Sequence, residues 1–272
     1  MRKLIGLSLA IYLALGAPGA FAENLNADQK LVLTQTITGK ISPKSVLASD
    51  NGIVSAHNMM YNHSVTIYDA NRAELIATVP DTVVLSDFGF SQYSGSYKGA
   101  PVEGAYSPDG KYLYFTNYAM YGKGFNKEGH DTCSPASGFD TSFLSRINLE
   151  SKQIDAVFPV GSVPKVVKVT PNNKYILVSN WCSYTVTVIS VETGKTVTSV
   201  KIGRYPRGIA ITSDSKYAYV AEMGGANIHR IDLSDFSQKL IPVGPNPRAI
   251  VLSPDETKLY VTMNVSGKVQ AW

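Results

Sequence analysis

The feature that most constrains the fold of this 272-residue chain is an internal repeat of about 40 residues. Three copies open with a proline followed by a basic residue, at Pro164, Pro206 and Pro247, and these prolines lie 42 and 41 residues apart. Two looser copies precede them, opening at Pro43 and Pro101. A repeat of this period indicates one supersecondary unit per copy, stacked against its neighbours.

Each copy contains four short runs rich in Val, Ile and Tyr, separated by turn sequences. In the second copy, the turn Ser-Pro-Asp-Gly-Lys at 107–111 precedes the run Tyr-Leu-Tyr-Phe-Thr-Asn at 112–117. Proline and glycine supply the backbone angles of tight turns, and the apolar runs suit half-buried strands. Four strands per unit of about 40 residues is the blade of a β-propeller. The sequence therefore predicts an all-β fold, a β-propeller of four-stranded blades with five repeats.

Two of these runs, Tyr-Phe-Thr-Asn at 114–117 and Tyr-Val-Thr-Met-Asn at 260–264, each follow a Ser-Pro-Asp turn. They resemble the repeat that names the YVTN propeller family, and the chain from 29 to 272 is similar to the periplasmic YncE-like proteins of that family. The resemblance implies the fold more than the function, because these repeats occur in proteins with varied binding roles. The pattern is broken in the fourth copy, where Glu222 replaces the motif Asn, and in the first, which lacks the tyrosine.

The two ends of the repeat region suggest how the propeller closes. Residues 30–38 match residues 195–203, the outermost strand of a blade, whereas the last copy stops at Trp272 where an outer strand is due. We therefore predict that residues 30–38 pair beside the last strand, a velcro closure that leaves no exposed sheet edge. Similar family members usually have seven blades, so the alternative is a truncated seven-bladed propeller.

The first 22 residues have the pattern of an export signal. Arg2 and Lys3 precede an apolar run at 4–15, and Ala-Phe-Ala at 20–22 is a small-x-small cleavage sequence. We predict a signal peptide at 1–22, a propeller domain at 23–272, and a periplasmic or secreted product. The alternative is an uncleaved anchor. The remaining sequence predicts no stable membrane insertion, and we expect a monomer.

Charge excludes a global attraction to polyanions. Removing Arg2 and Lys3 leaves 23 basic and 21 acidic residues, so any site for nucleic acid or another polyanion must be local. Two segments, 81–99 and 119–142, exceed the repeat length, and both belong to the same face of a propeller. Loops on a rigid scaffold commonly carry binding residues, although decorative insertion is the alternative.

The two cysteines fall in equivalent loops of neighbouring copies, Cys133 in the enlarged loop and Cys182 in the next. Adjacent blades bring such loops to one rim, so we predict a disulfide, which fits an oxidising compartment. A metal pair or a catalytic thiol are the alternatives, and neither cysteine has a CxxC partner.

A second recurring feature is a cation directly after the opening proline. These cations are Lys44, Lys165, Arg207 and Arg248. Equivalent positions of a radial repeat lie on a circle, so we expect the four to ring the mouth of the central channel and bind an anion. We predict that the nearby aromatic residues Trp181, Tyr184 and Tyr205 add contact area to this site. The alternative is that each cation pairs with a carboxylate of the neighbouring blade.

The function that these features predict is binding. The sequence holds no GxSxG, HExxH, Walker or dinucleotide motif, and no residue is assigned to catalysis, a metal or a cofactor. We expect a binding or scaffold propeller that engages a protein, a glycan or a polyanion, single-stranded nucleic acid included, through its loop-rich face. Its partner would be an anionic ligand or an envelope protein. The alternative is a hydrolase of the lactonase or lyase type, for which Glu222, His57 and His130 are the candidates.

Overall fold

The structure is a computed structural model that describes residues 32–272. In this range the chain forms five antiparallel sheets in succession, four of them four-stranded and the last three-stranded. This arrangement confirms the predicted all-β fold built from four-stranded blades. The predicted signal peptide at 1–22 lies outside the described residues.

Chain order and spatial order agree within every sheet, as in a propeller blade. The first sheet consists of β1 (Ser45–Ala48), β2 (Ile53–Asn58), β3 (Ser64–Asp69) and β4 (Leu75–Pro80). The second consists of β5 (Pro101–Tyr106), β6 (Tyr112–Asn117), β7 (Ser142–Asn148) and β8 (Gln153–Val160). The third consists of β9 (Pro164–Val169), β10 (Tyr175–Asn180), β11 (Thr185–Ser190) and β12 (Thr196–Lys201). The fourth consists of β13 (Pro206–Ile211), β14 (Tyr217–Glu222), β15 (Asn227–Asp232) and β16 (Gln238–Pro242). The fifth consists of β17 (Pro247–Leu252), β18 (Leu259–Met263) and β19 (Lys268–Ala271).

Hydrophobic cores lie between neighbouring sheets. One face of the third sheet places Val178 and Ile189 against the second sheet, and the other places Leu177 and Val188 against the fourth. Alternation along each strand sends successive side chains to opposite faces, so one sheet contributes to two cores. Similar cores join the first sheet to the second and the fourth to the fifth.

The predicted turns connect the first and second strands of each sheet. In the second sheet, the Ser107 hydroxyl donates to the Asp109 carboxylate (2.5 Å) and accepts from the Tyr112 amide (2.9 Å). Gly110 occupies the left-handed region at φ 69°, which costs glycine nothing. Thr212 with Asp214 and Ser253 with Asp255 repeat the hydroxyl-to-carboxylate bond in later copies.

The two long insertions pack against each other. Tyr93 of the first stacks on Phe125 of the second, with ring centroids 5.0 Å apart, and Tyr97 meets Phe125 edge to face. An antiparallel bridge joins Lys98 to Tyr121. A shared core with Leu85 and Phe143 makes the insertions one ordered unit. They therefore lie on a common face, as predicted.

The predicted closing strand is not formed. Lys30 and Leu31 lie outside the described residues, residues 32–38 form no strand, and the fifth sheet has three strands. Val32 and Leu33 are strongly exposed. The match between 30–38 and an outer strand reflected Thr and Val alternation, which favours a strand but does not specify its partner.

No helix in residues 32–272 is long and apolar enough to cross a bilayer.

Candidate functional site

Three of the four recurring cations lie at an irregularity that is shared by four inner strands. In β9, Pro164 pairs with Asn180 and Val167 pairs with Val178, so two residues of β9, Lys165 and Val166, face one residue of β10. The same shift follows the opening proline of β5, β13 and β17. A bulge of this kind bends the strand and re-aims its side chains. Each cation of β9, β13 and β17 therefore stands at a bulge.

A hydroxyl group from the second strand stabilises three of these bulges. The Thr116 hydroxyl accepts from the Glu103 amide (3.3 Å) and lies 3.0 Å from the Lys165 carbonyl, to which it donates. Ser179 and Thr262 accept from the equivalent amides in the third and fifth sheets, at 3.0 and 2.9 Å. The Thr or Ser of the repeat motif thus satisfies an amide that the bulge removes from the ladder.

Lys165 is buried and paired. Its ammonium lies 3.0 Å from the carboxylate of Asp131, in the long insertion, and 4.3 Å from the centroid of the Tyr118 ring. Burial lowers the pKa of Lys165, and the hydrogen bond to Asp131 opposes that shift. Burial would raise the pKa of Asp131, but the hydrogen bond and charge of Lys165 lower it overall.

Arg207, in the fourth sheet, is paired with a carboxylate of the second sheet. Its guanidinium Nη2 lies 3.4 Å from Oε1 of Glu103, in the copy that lacks a cation after its proline. Burial raises the pKa of Glu103, and the charges of Arg207, Lys168, Lys44 and Lys165 oppose the rise. Cations from three different sheets are therefore close enough to act on one carboxylate.

Lys44 and Arg248 are exposed, and neither forms an ion pair with a carboxylate among residues 32–272. Arg248 donates only to the Asn264 side chain, at 3.2 Å. Arg248 lies close enough to Arg207 to lower its pKa, after the larger effect of burial. The alternative in which each cation pairs with a carboxylate of the neighbouring blade therefore applies to Lys165, whereas Arg207 pairs with a sheet further away.

We call this group of charges the cationic mouth. Its members are Lys44, Lys165, Lys168, Arg207, Arg248, Glu103 and Asp131. Five cations against two carboxylates leave a surplus of three positive charges in a chain whose whole formal charge is +4. The surplus is local, as a polyanion site would have to be.

Lys168 was missed by the sequence analysis. Lys168 is the fifth residue of β9, outside the recurring position directly after the proline, and its charge also opposes the rise in the pKa of Glu103.

The three predicted aromatic residues surround the disulfide. Trp181 is 7% exposed and stacks on Tyr205, with ring centroids 4.4 Å apart. The Trp181 indole donates to the Asp131 carbonyl (3.0 Å), and the Tyr184 hydroxyl donates to the Cys133 carbonyl (2.7 Å). These side chains hold the loop that carries Asp131. Their contact with a ligand stays a prediction, and little of the Trp181 face is open to one.

The predicted disulfide is confirmed. Cys133 and Cys182 are bonded, with their Cα atoms 5.4 Å apart. Both cysteines are buried in one cluster with Val163 and Trp181. The bond ties the long insertion of the second sheet to the equivalent loop of the third, so it fixes Asp131 over Lys165.

The candidate hydrolase residues have separate surroundings. His57 is buried, contacts the Ser45 hydroxyl (3.0 Å) and lies against Gly104, and burial lowers its pKa to about 4. His130 is exposed and packs on Phe139. Nothing brings either histidine to Glu222, and no cluster of three metal-ligating side chains occurs among the described residues.

Glu222 has a structural role that explains its departure from the motif. In the third sheet, the motif residue Asn180 accepts from the Gly161 amide of the incoming connection (3.0 Å). Glu222 accepts from the Arg204 amide of its own connection (3.2 Å) and from the Asn227 side chain (3.3 Å). The carboxylate therefore replaces the motif amide as an acceptor.

Comparison with known proteins gives a partial match. No protein-family model matches the chain. A stretch of 122 residues is 28% identical to the protein named antigen Lp49 of Leptospira interrogans serogroup Icterohaemorrhagiae serovar copenhageni (strain Fiocruz L1-130). The alignment covers 41% of this chain and 26% of the antigen, so the chain spans about a quarter of that relative's length. Sequence and structure agree on a propeller-like all-β repeat protein.

Proposed function

We propose that this protein is an exported binding propeller of the YVTN type that holds a polyanion at its cationic mouth. The observation that carries the proposal is the surplus of three positive charges on and beside the inner strands of successive sheets. A propeller-like fold suggests a binding or scaffold role, and loops or strand ends of a rigid scaffold are common binding positions.

The two cations that directly follow an opening proline and have no carboxylate partner among residues 32–272 are the part of the mouth most available to a ligand. Lys44 and Arg248 are exposed, so an anion can approach them without displacing a protein carboxylate. Lys165 and Arg207 are largely buried and already paired with carboxylates. They contribute to anion binding mainly through the electrostatic field of their charges. The ligand chemistry that fits is a chain of phosphate or carboxylate groups, such as a nucleic-acid backbone or an acidic glycan.

Base stacking contributes little in this account. The predicted aromatic residues are engaged with each other and with the disulfide loop. Single-strand binding proteins that read bases present free aromatic faces. We therefore expect the mouth to bind the backbone charge and to tolerate any base.

Fluorescence anisotropy with labelled oligothymidylate tests this proposal. A labelled abasic strand of the same length is the second probe, and a neutral peptide-backbone analogue is the control. We expect similar affinities for the two charged strands, decreasing with salt, and none for the neutral analogue. Binding of the neutral strand, or no binding of either charged strand and none of an acidic polysaccharide at low salt, would contradict the proposal.

Export is supported by two independent features. The described part of the chain contains a disulfide, which is typical of oxidising compartments, and residues 1–22 have the pattern of a signal peptide. Mass spectrometry of the protein recovered from a periplasmic or secreted fraction should give a chain that begins near Glu23. An intact Met1 on membrane-bound protein would contradict export by cleavage.

The hydrolase alternative is less well supported. It requires an acid and histidines that converge on one pocket, and Glu222, His57 and His130 have separate sets of neighbours.

A further inference from the structure

A second site lies where the first sheet meets the two insertions. A pocket of about 450 Å³ opens there, and its lining includes Tyr61, His63, Asp81, Lys98 and Tyr121. Small-molecule sites commonly have volumes of about 300–1,000 Å³. None of these residues belongs to the cationic mouth.

Asp81 occupies a repeat position that is apolar in two other sheets. It directly follows Pro80, which pairs with Ser64, the first residue of β3. The equivalent ladder pairs are Lys201 with Thr185 and Pro242 with Asn227. The residues that follow are Ile202 and Val243, which are 2% and 3% exposed and belong to hydrophobic cores. The fold therefore works with an apolar side chain at this position, and a carboxylate is a departure.

The surroundings of Asp81 leave its carboxylate incompletely satisfied. Asp81 is 2% exposed, its Oδ2 atom has no hydrogen-bond partner, and His63 Nδ1 lies 3.4 Å from that atom. Burial raises the pKa of Asp81 to about 6, against the opposing effects of His63, the Gly99 amide and Lys98. A buried acceptor without a partner costs free energy that a hydrophobic residue would not. A ligand in the pocket can supply the missing donor.

The rim of the pocket presents aromatic surface. Tyr61 is 90% exposed and has a left-handed backbone at φ 69°, which is strained for a non-glycine residue. On the other side, the Tyr121 hydroxyl donates to Glu128 (2.7 Å), and the Tyr121 ring packs near His63. The tyrosine rings offer flat apolar faces beside polar groups.

The charges of the pocket favour a neutral ligand. The negative charge of Asp81 is offset by the positive charge of Lys98, which lines the same pocket. A metal ion fits poorly, because Asp81 and His63 give two ligands and the ammonium of Lys98 would repel it. Acceptors, donors and flat apolar faces in one pocket match a molecule that carries many hydroxyl groups on an apolar ring face.

We propose that this pocket binds a neutral sugar unit, with hydroxyl groups donating to Asp81 and accepting from Lys98, and a ring face against Tyr61. The site is separate from the cationic mouth, so either can exist without the other. Both are open on the loop-bearing face, and a glycan with neutral and acidic units can engage both.

A glycan array that carries neutral and acidic oligosaccharides, followed by titration with the best neutral oligosaccharide, tests the proposal. We expect binding of neutral glycans that weakens at least tenfold in Asp81→Asn, which keeps the side-chain shape, and also in Tyr61→Ala. The matched control is Lys44→Ala with Arg248→Ala, which should leave neutral-glycan binding unchanged while weakening oligothymidylate binding.

Three results would overturn the sugar site: no neutral glycan bound, binding of acidic glycans alone, or unchanged affinity in Asp81→Asn. The thermal transition of Asp81→Asn shows that the variant is folded, and oligothymidylate binding by that variant tests the mouth independently. Failure of the sugar site with intact oligothymidylate binding leaves the proposed function standing.

Discussion

Arg207 of the fourth sheet and Glu103 of the second form an ion pair, with Nη2 3.4 Å from Oε1. The second sheet has Val102 where the other copies have a cation, and Glu103 follows it. The break in the repeat therefore supplies the carboxylate that holds Arg207. Glu103 neutralises one positive charge of the cationic mouth, and the mouth as a whole keeps its surplus of positive charge.

Removing this carboxylate should strengthen anion binding. Glu103→Gln increases the surplus from three positive charges to four, so we expect oligothymidylate to bind about fivefold more tightly at low salt. Anisotropy titration measures the change. Asp155→Asn is the matched control, because it breaks an ion pair with Arg146 on β7 and β8, which are not inner strands. Equal or weaker binding by Glu103→Gln would count against the mouth as the anion site.

The disulfide should contribute strongly to stability. Cys133 and Cys182 are 49 positions apart, and a loop of that length corresponds to about 4 kcal/mol in the chain-entropy model. We expect Cys133→Ala with Cys182→Ala to lower the free energy of unfolding by roughly that amount in urea titration. Wild-type protein under reducing conditions is the control, and it should approach the double variant. No difference between oxidised and reduced protein would contradict this prediction.

The pH dependence of the free energy of unfolding should reveal the raised pKa of Asp81. Its pKa is raised from 3.8 to about 6 in the folded state, so between these values the native protein binds more protons and stability falls as pH rises. The pKa of His57 is lowered from 6.5 to about 4, so there the unfolded state binds more protons and stability rises with pH. The two contributions are opposite and similar, about 3 kcal/mol each.

Asp81→Asn should therefore be more stable than wild type above pH 6, by up to about 3 kcal/mol. Across pH 4 to 6.5 the variant should gain stability steeply, because the His57 contribution is no longer offset. Urea titrations at several pH values measure both effects. A variant that parallels wild type over this range would show that Asp81 is not held in an unfavourable environment.

The hydroxyl group of the repeat motif should contribute most to the free energy of unfolding where it is fully buried. Thr116 is fully buried, accepts from the Glu103 amide and contacts the Lys165 carbonyl, so Thr116→Val leaves a buried amide without a partner. We expect a loss of about 1–3 kcal/mol on urea unfolding, restored mostly by Thr116→Ser. Thr262→Val is the comparison, since water can reach that half-buried site. Equal losses at the two sites would contradict this reading of the bulge.

The repeat made the sheets and their turns predictable, because short apolar runs separated by polar turns, Ser-Pro-Asp in two copies, recur at a nearly constant spacing. The disulfide was predictable for the same reason, since Cys133 and Cys182 fill equivalent loops. The spacing of the repeat also located four of the five cations of the mouth, Lys168 being the exception. It could not show which of them are paired, because Asp131 and Glu103 lie in departures from the repeat.

Two features were not obtained correctly from the sequence, for different reasons. The closing strand was inferred from the match between residues 30–38 and the outer strand at 195–203, but such a match does not specify the strand with which a segment pairs. Asp81 was overlooked although its position is apolar in two other sheets, because the insertion after it obscured the alignment of the copies. Comparing equivalent positions residue by residue would have shown it.

The most direct test of the central claim is the salt dependence of oligothymidylate binding in wild type and in Lys44→Ala with Arg248→Ala. Three surplus charges predict a slope of log affinity against log salt of about −2, and removing two should reduce its magnitude to about 0.7. Lys195→Ala with Lys239→Ala is the control, because both lysines are exposed on β-turn and outer-strand positions away from the mouth. An unchanged slope in the mouth variant, or an equal reduction in the control, would contradict the claim that the cationic mouth binds the polyanion.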